Sequence, residues 1–149
     1  MRKRQFIKLT NIILLILTTV CSCEIETYDN GKLDGYWKLC EIDSIRNGEK
    51  LKLSDKSIFW AIQAKFIVLQ NNNEDREKIY LRFKHIGDSL ITHSPMFYDK
   101  LNGNTIIKDD SELKIYGINN LNESFYICKL KDNSLILKTN LLQLKFIKF

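Results

Sequence analysis

The sequence predicts an all-β domain of about eight antiparallel strands with one short helix, set behind an N-terminal export segment. Three observations carry this. From residue 36 onward, short apolar–polar alternations of period two recur along the chain. Turn-forming pairs such as Asn47-Gly48, Gly87-Asp88 and Asp132-Asn133 punctuate them at short intervals. One segment, Asp109–Gly117, carries helix-end signals in place of alternation.

The length of 149 residues fits one domain, and 44% hydrophobic with 28% charged residues excludes a disordered chain. The formal charge of +5 overstates the basicity of the folded part. Arg2, Lys3, Arg4 and Lys8 lie in the export segment, and without them 19 basic residues stand against 18 acids. A near-neutral body lacks the clustered basic surface that nucleic-acid binding needs, so no nucleic-acid partner is expected.

Residues 1–22 read as a signal peptide. Arg2–Arg4 supply the positive start, Ile12–Val20 the apolar centre, and small residues and cysteines follow at once. The apolar run from Leu9 to Val20 is too short for a spanning helix, which needs about 18–20 apolar residues. The junction Val20-Cys21-Ser22-Cys23 resembles a bacterial lipobox, with an aliphatic residue three before Cys23 and a small one just before it. The resemblance implies cleavage after Ser22 and a diacylglycerol thioether on Cys23, usually joined by a third acyl chain such as palmitate. Two or more chains hold stably in a membrane. A disulfide or a free thiol is the other reading of Cys23. Residues 23–33 then form a polar tether. Its acids, Glu24, Glu26 and Asp29, are either a solvated linker or, by resemblance to lipoproteins of Bacteroidota, a surface-export signal.

The domain proper spans 34–149. Leu33-Asp34-Gly35-Tyr36-Trp37-Lys38-Leu39 opens it, a glycine releasing the chain into an aromatic-led strand over Tyr36–Ser44. Arg46–Glu49 turns the chain, and Lys50–Ser57 reads as a loop across one end. Ile58–Leu69 reads as one strand with Ile58, Trp60, Ile62, Ala64, Phe66 and Val68 on its packed face, and Asn71–Asp75 as a hairpin loop. Glu77–Ile86 alternates again, with Ile79, Leu81, Phe83 and His85 on one side and Lys78, Arg82 and Lys84 on the other. Asp88–Ser94 is a short strand ended by Pro95, and Met96–Thr105 an irregular crossing. Asp110 is placed to cap a short helix that Gly117 closes in the left-handed conformation. Ser124–Leu130, Asn133–Thr139 and Leu141–Phe149 are the last strands. Leu135, Leu137, Leu142, Leu144 and Phe146 face the core. Such a meander forms a sandwich or a closed barrel.

Gly35-Tyr36-Trp37 resembles the Gly-X-Trp with which lipocalins open, where the tryptophan plugs the closed end of an eight-stranded barrel. The order of lipobox, Leu-Asp-Gly-X-Trp opening, short helix ending in Tyr116-Gly117-Ile118-Asn119 and final Lys145-Phe146-Ile147-Lys148-Phe149 is similar to lipocalin-like lipoproteins of Bacteroidota. The resemblance implies a lipocalin-like barrel lipid-anchored at the outer membrane, on its periplasmic or surface face.

Chemistry is sparse. His85 and His93, with Asp88 between them, fall short of the three or four convergent ligands a zinc site needs. Ser94 beside His93 has no nucleophile-elbow context. Glu74-Asp75 and Asp109-Asp110 are turn chemistry, and no glycine loop cradles phosphate. Catalytic residues, a metal and a cofactor are therefore all expected to be absent. Cys40 and Cys128 are either a disulfide or two buried thiols.

Two functions remain in view. One is a barrel that binds a small apolar ligand, contacted by Trp60 and Phe83 from the inner face and by Met96, Phe97 and Tyr98 at the rim. The other is a structural or protein-interaction module of the cell envelope with a filled barrel, since an eight-stranded barrel has room only for its own bulky side chains or one small ligand.

Overall fold

A computed structural model describes residues 29–149 except Asp75 and Lys100. The expected signal peptide, Cys23 and most of the tether lie outside the described residues. Ten strands are present: β1 (Gly35–Ser44), β2 (Lys50–Lys52), β3 (Ile58–Gln63), β4 (Phe66–Asn71), β5 (Ile79–Ile86), β6 (Ser89–Phe97), β7 (Thr105–Ile106), β8 (Glu123–Lys131), β9 (Ser134–Lys138) and β10 (Leu142–Lys148). A 3₁₀ turn (Gly31–Leu33) precedes β1, and a longer 3₁₀ helix (Asp110–Tyr116) lies between β7 and β8.

Eight of the strands close an antiparallel barrel in the order β1-β3-β4-β5-β6-β8-β9-β10 and back to β1. The closing seam pairs Trp37 with Lys148 and continues to Ser44 opposite Leu142. The two short strands are additions. β2 takes over from β3 along the later half of β1, and β7 takes over from β8 beside Met96 and Phe97. Lys50–Lys52 is thus a strand where composition suggested a loop.

The lower end of the barrel, where the chain enters β1, is plugged by the opening residues. Leu33 is fully buried, although its neighbours are polar. The Trp37 indole N–H donates to the Leu33 carbonyl at 2.8 Å, and the Lys148 ammonium sits 5.0 Å from the indole ring centre. Asn30 donates to the Asp34 carboxylate and to the Ala64 carbonyl, tying this plug to the β3–β4 turn. The upper end is closed by the 3₁₀ helix. Leu113, Tyr116 and Ile118 belong to the same buried cluster as the inward residues of the strands. Glu112 reaches Arg76 of the β4–β5 connection at 3.6 Å.

Three further expectations are corrected. Ile58–Leu69 is not one strand but the hairpin β3–β4, turning at Ala64-Lys65 with Ala64 at φ +54°. A two-residue turn puts Gln63 and Phe66 opposite each other on the outer face, so Ile67 and Leu69 are buried and Phe66 is exposed. Pro95 does not end its strand. β6 runs through to Phe97, and the irregularity between Tyr80 and Arg82 of β5 sits opposite Ser94-Pro95, with Ser94 at φ +54°. A bulge is where a strand tolerates a residue without an N–H. His85 shares the side of Ile79, Leu81 and Phe83, as read, and lies beyond the core, exposed at the lower rim. The helix is capped by Asp109, one residue earlier than read, whose carboxylate accepts from the Ser111 N–H at 2.9 Å. Gly117 closes it at φ +81°, as expected.

Cys40 and Cys128 are free, the first half-buried and the second exposed. Both stand at β-bulges, on β1 and β8, with β10 and β9 between them. Three inter-strand steps of about 4.8 Å put them far beyond the ~7 Å limit for a disulfide.

On the outer face of the seam, Lys145 pairs with Glu41 and, at 2.9 Å, with Asp43. The hydrogen bond from Lys145 holds the Asp43 carboxyl below its usual 3.8, against the opposing effect of burial. Stability from this pairing is therefore complete above about pH 4 and lost as pH falls through the lowered value. Asp43→Asn should flatten the acid limb of urea-melt stability between about pH 5 and pH 2. A second expectation concerns Gly117. A β-carbon there would lie 2.5 Å from Leu144 Cδ2, on a backbone at φ +81°. Gly117→Ala should cost more than ~1 kcal/mol in the same melts; an unchanged midpoint would show that the helix closure is not constrained.

Candidate functional site

A closed eight-stranded barrel offers its lumen first as a binding site. Here the lumen is occupied by the protein itself. Trp37, Trp60, Phe125 and Phe146 are at most 2% exposed. Trp60 meets Phe125 and Phe146 edge-to-face, with ring centres 5.7 and 5.1 Å apart. The Trp60 indole N–H is buried there without a hydrogen-bond partner among the described residues.

The clefts that do exist open outward. One of about 680 Å³ lies over β8, lined by Glu123, Ser124, Tyr126 and Lys138, with Asn120 and Asn140 at its rim. Glu123 is buried and accepts from the Asn119 N–H and the Asn120 amide. A second, of about 630 Å³, lies at the lower end between the β3–β4 turn and the ends of β5 and β6. Its walls include Arg82, Lys84, His85 and His93. A third, of about 340 Å³, lies between the 3₁₀ helix and β5, walled by Arg76, Ile79, Phe97, Glu112 and Tyr116. Burial pushes the Tyr116 hydroxyl above its usual 10.0 there. None of these three reaches Trp37, Trp60 or Phe146.

With this geometry in view, comparison with known proteins is informative. The family model described as a lipocalin-like domain matches residues 15–149. The chain belongs to the lipocalin-like family. A crystal structure of a lipocalin-like protein from Bacteroides uniformis is similar, at 17% identity and a TM-score of 0.60, covering 80% of this chain and 100% of that one. An uncharacterized protein from Bacteroides eggerthii is also similar, at 17% identity and a TM-score of 0.53, covering 78% of this chain and 98% of that one. At this identity both speak for the fold alone. No curated protein matches the sequence.

In this lipocalin-like barrel the five residues proposed as ligand contacts do not share a cavity. Trp60 is sealed in the core. Phe83 is buried and borders the lower groove. Met96 and Phe97 are half-buried on β6 where β7 joins it, and Phe97 walls the upper cleft. Tyr98, 45% exposed, sets its ring 5.1 Å from that of Tyr80, tilted by 40°. His85 and His93 both border the lower groove, but Asp88 does not join them. Among the described residues no three His, Cys, Asp or Glu side chains converge as metal ligands.

Arg82, Lys84 and Tyr126 escaped the sequence reading as site residues. The outward Lys78-Arg82-Lys84 series was visible, yet alternation alone says only that a face is solvated. What makes it a wall is the end of β4 beside it, and no local pattern carries that.

If the lumen is filled, apolar gas has nowhere to enter. Xenon-pressurised crystals of the wild-type protein should show no xenon inside the barrel, and Phe146→Ala, at a cost of ~3–5 kcal/mol, should create a site. Xenon bound beside Trp60 in the wild type would show an open lumen.

Proposed function

We propose that this lipocalin-like protein is a non-enzymatic, membrane-anchored lipoprotein of the cell envelope that acts through its outer surface. The observation that carries this is the filled lumen. Trp37, Trp60, Phe125 and Phe146 occupy the space an apolar cargo would need, and Leu33 and the 3₁₀ helix stand at the two ends. Of the two functions open from sequence, the interaction module is therefore favoured over the carrier of a small apolar ligand. Its partner is an envelope protein or the membrane surface, met by the long upper connections or the outer grooves.

The anchor is proposed at Cys23, because Val20-Cys21-Ser22-Cys23 follows a positively charged and then apolar start. The outer membrane is the proposed location, on either of its faces. No helix among the described residues is long and apolar enough to cross a membrane. A lipid on Cys23 would supply the attachment, and two or more acyl chains are sufficient for it.

Metabolic labelling with radioactive palmitate tests the anchor. Wild-type protein should label and partition with membranes, and Cys23→Ala should do neither. Equal labelling of the two proteins would remove the anchoring claim.

A further inference from the structure

The lower groove has a composition that barrel packing does not require. The β4 ladder ends with Phe66 opposite Arg82, whereas β5 continues to Ile86. Past Phe83, whose N–H donates to the Lys65 carbonyl at 3.3 Å, one edge of β5 has no strand beside it among the described residues. Side chains of both sheet faces meet around that edge. Arg82, Lys84 and His93 come from the outer face, His85 from the inner series, and Phe83 and Ile86 add apolar surface. Asp29 is the acid among the lining residues, and its carboxylate already accepts from the Gly31 N–H at 2.7 Å.

Arg82 and Lys84 are the cations of interest here. Arg82 lies over the Phe66 ring at 5.6 Å, and neither it nor Lys84 makes an ion pair among the described residues. Lys145, paired with Glu41 and Asp43, and Lys114, paired with Asp110, lie away from this groove. His93 Nδ1 stands 3.0 Å from Ser94 Oγ, which leaves its second ring nitrogen for another partner. A guanidinium, an ammonium and two imidazoles beside an open sheet edge form an anion-binding concavity.

We propose that this groove binds a phosphate ester. Arg82 and Lys84 hold the phosphoryl oxygens, His85 and His93 donate to them, and Phe83 and Ile86 contact the apolar part of the molecule. Four donor side chains match a tetrahedral group with several charged oxygens better than a carboxylate with two. The ester is either a lipid headgroup or a soluble molecule. Asp29 borders the groove and is six residues from Cys23, a reach of at most ~20 Å. The lipid source thus rests on the proposed anchor, while phosphate recognition does not.

Titration calorimetry of the full chain in nonionic detergent separates the cases. The probes are sn-glycerol 3-phosphate in solution and micelles doped with phosphatidic acid. Arg82→Gln/Lys84→Gln should weaken binding at least ~10-fold, about 1.4 kcal/mol. Lys56→Gln, at the opposite end of the barrel, should leave it unchanged. Binding of the soluble ester identifies a soluble source, and binding of doped micelles alone identifies the lipid. No binding of either probe, or equal binding by the double variant, overturns the proposal. Lys84→Gln alone, at an exposed position, gives the same reading if the double variant does not fold. Glycerol phosphate binding that persists in Cys23→Ala, whatever its palmitate label, keeps this site separate from the question of the anchor.

Discussion

The pairing of the first barrel strand with the last is the constraint on which the rest of this structure depends. It joins residues distant in sequence, such as Glu41 and Lys145, 104 positions apart. Until that seam forms, both strands are unpaired edges, and the inward faces of every other strand lack an opposite wall. The seam also sets the plug. Lys148 lies opposite Trp37 in the ladder, and this register brings its ammonium over the indole while Leu33 accepts from the indole N–H. One residue of slip would turn Leu144 and Phe146 outward and remove the cation from the tryptophan together. Non-local pairing of this kind is costly in loop entropy, and hairpins such as β5–β6 and β8–β9 supply the local structure on which it is built.

Closure then decides what the interior can be. Eight strands enclose a space that side chains can fill completely, and two indoles and two phenyl rings do so here. The same rings that stabilise the barrel remove its lumen as a binding site. Binding, where it occurs, moves to places where regular pairing ends: the lower edge of β5, the cleft under the 3₁₀ helix, and the groove over β8. The lower groove arises because β4 ends before β5 does, so an irregularity of the barrel is also an available surface.

Much of this was legible from sequence, because hydrophobic period and turn chemistry are local signals. The strand opening at Gly35-Tyr36-Trp37, the inward Leu135, Leu137, Leu144 and Phe146, and the helix closing at Gly117 all follow from residues within a few positions. The β3–β4 hairpin did not, because its turn is Ala64-Lys65 rather than a glycine or asparagine pair. Apolar residues on both sides of that turn continued an alternation whose phase the turn had already reversed. Pro95 misled in the opposite direction: a strand can hold a proline at a bulge, and the bulge is set by the partner strand. The site was less legible than the fold. Trp60 and Phe97 are both large and apolar, yet one is sealed in the core and the other borders a cleft. Only the closed barrel distinguishes them.

The two ends of the barrel are chemically unlike, and this gives the molecule a direction. At the upper end, Arg76 is paired with Glu74 and Glu112, and Lys114 with Asp110, so the charges of the lid are committed within the protein. At the lower end the chain leaves toward its N-terminus beside Arg82 and Lys84, which make no ion pair among the described residues. Under the proposed anchoring, a tether of six residues leaves the lower end within ~20 Å of the lipid surface. The end that carries Arg82 and Lys84 is then the end that meets phosphate headgroups, and the 3₁₀ helix, with Lys114 paired to Asp110, faces away. A tether attached at the other end of the same barrel would present a neutralised lid to the membrane. The position of the N-terminus relative to the β5 edge therefore links the proposed anchor to the proposed ligand.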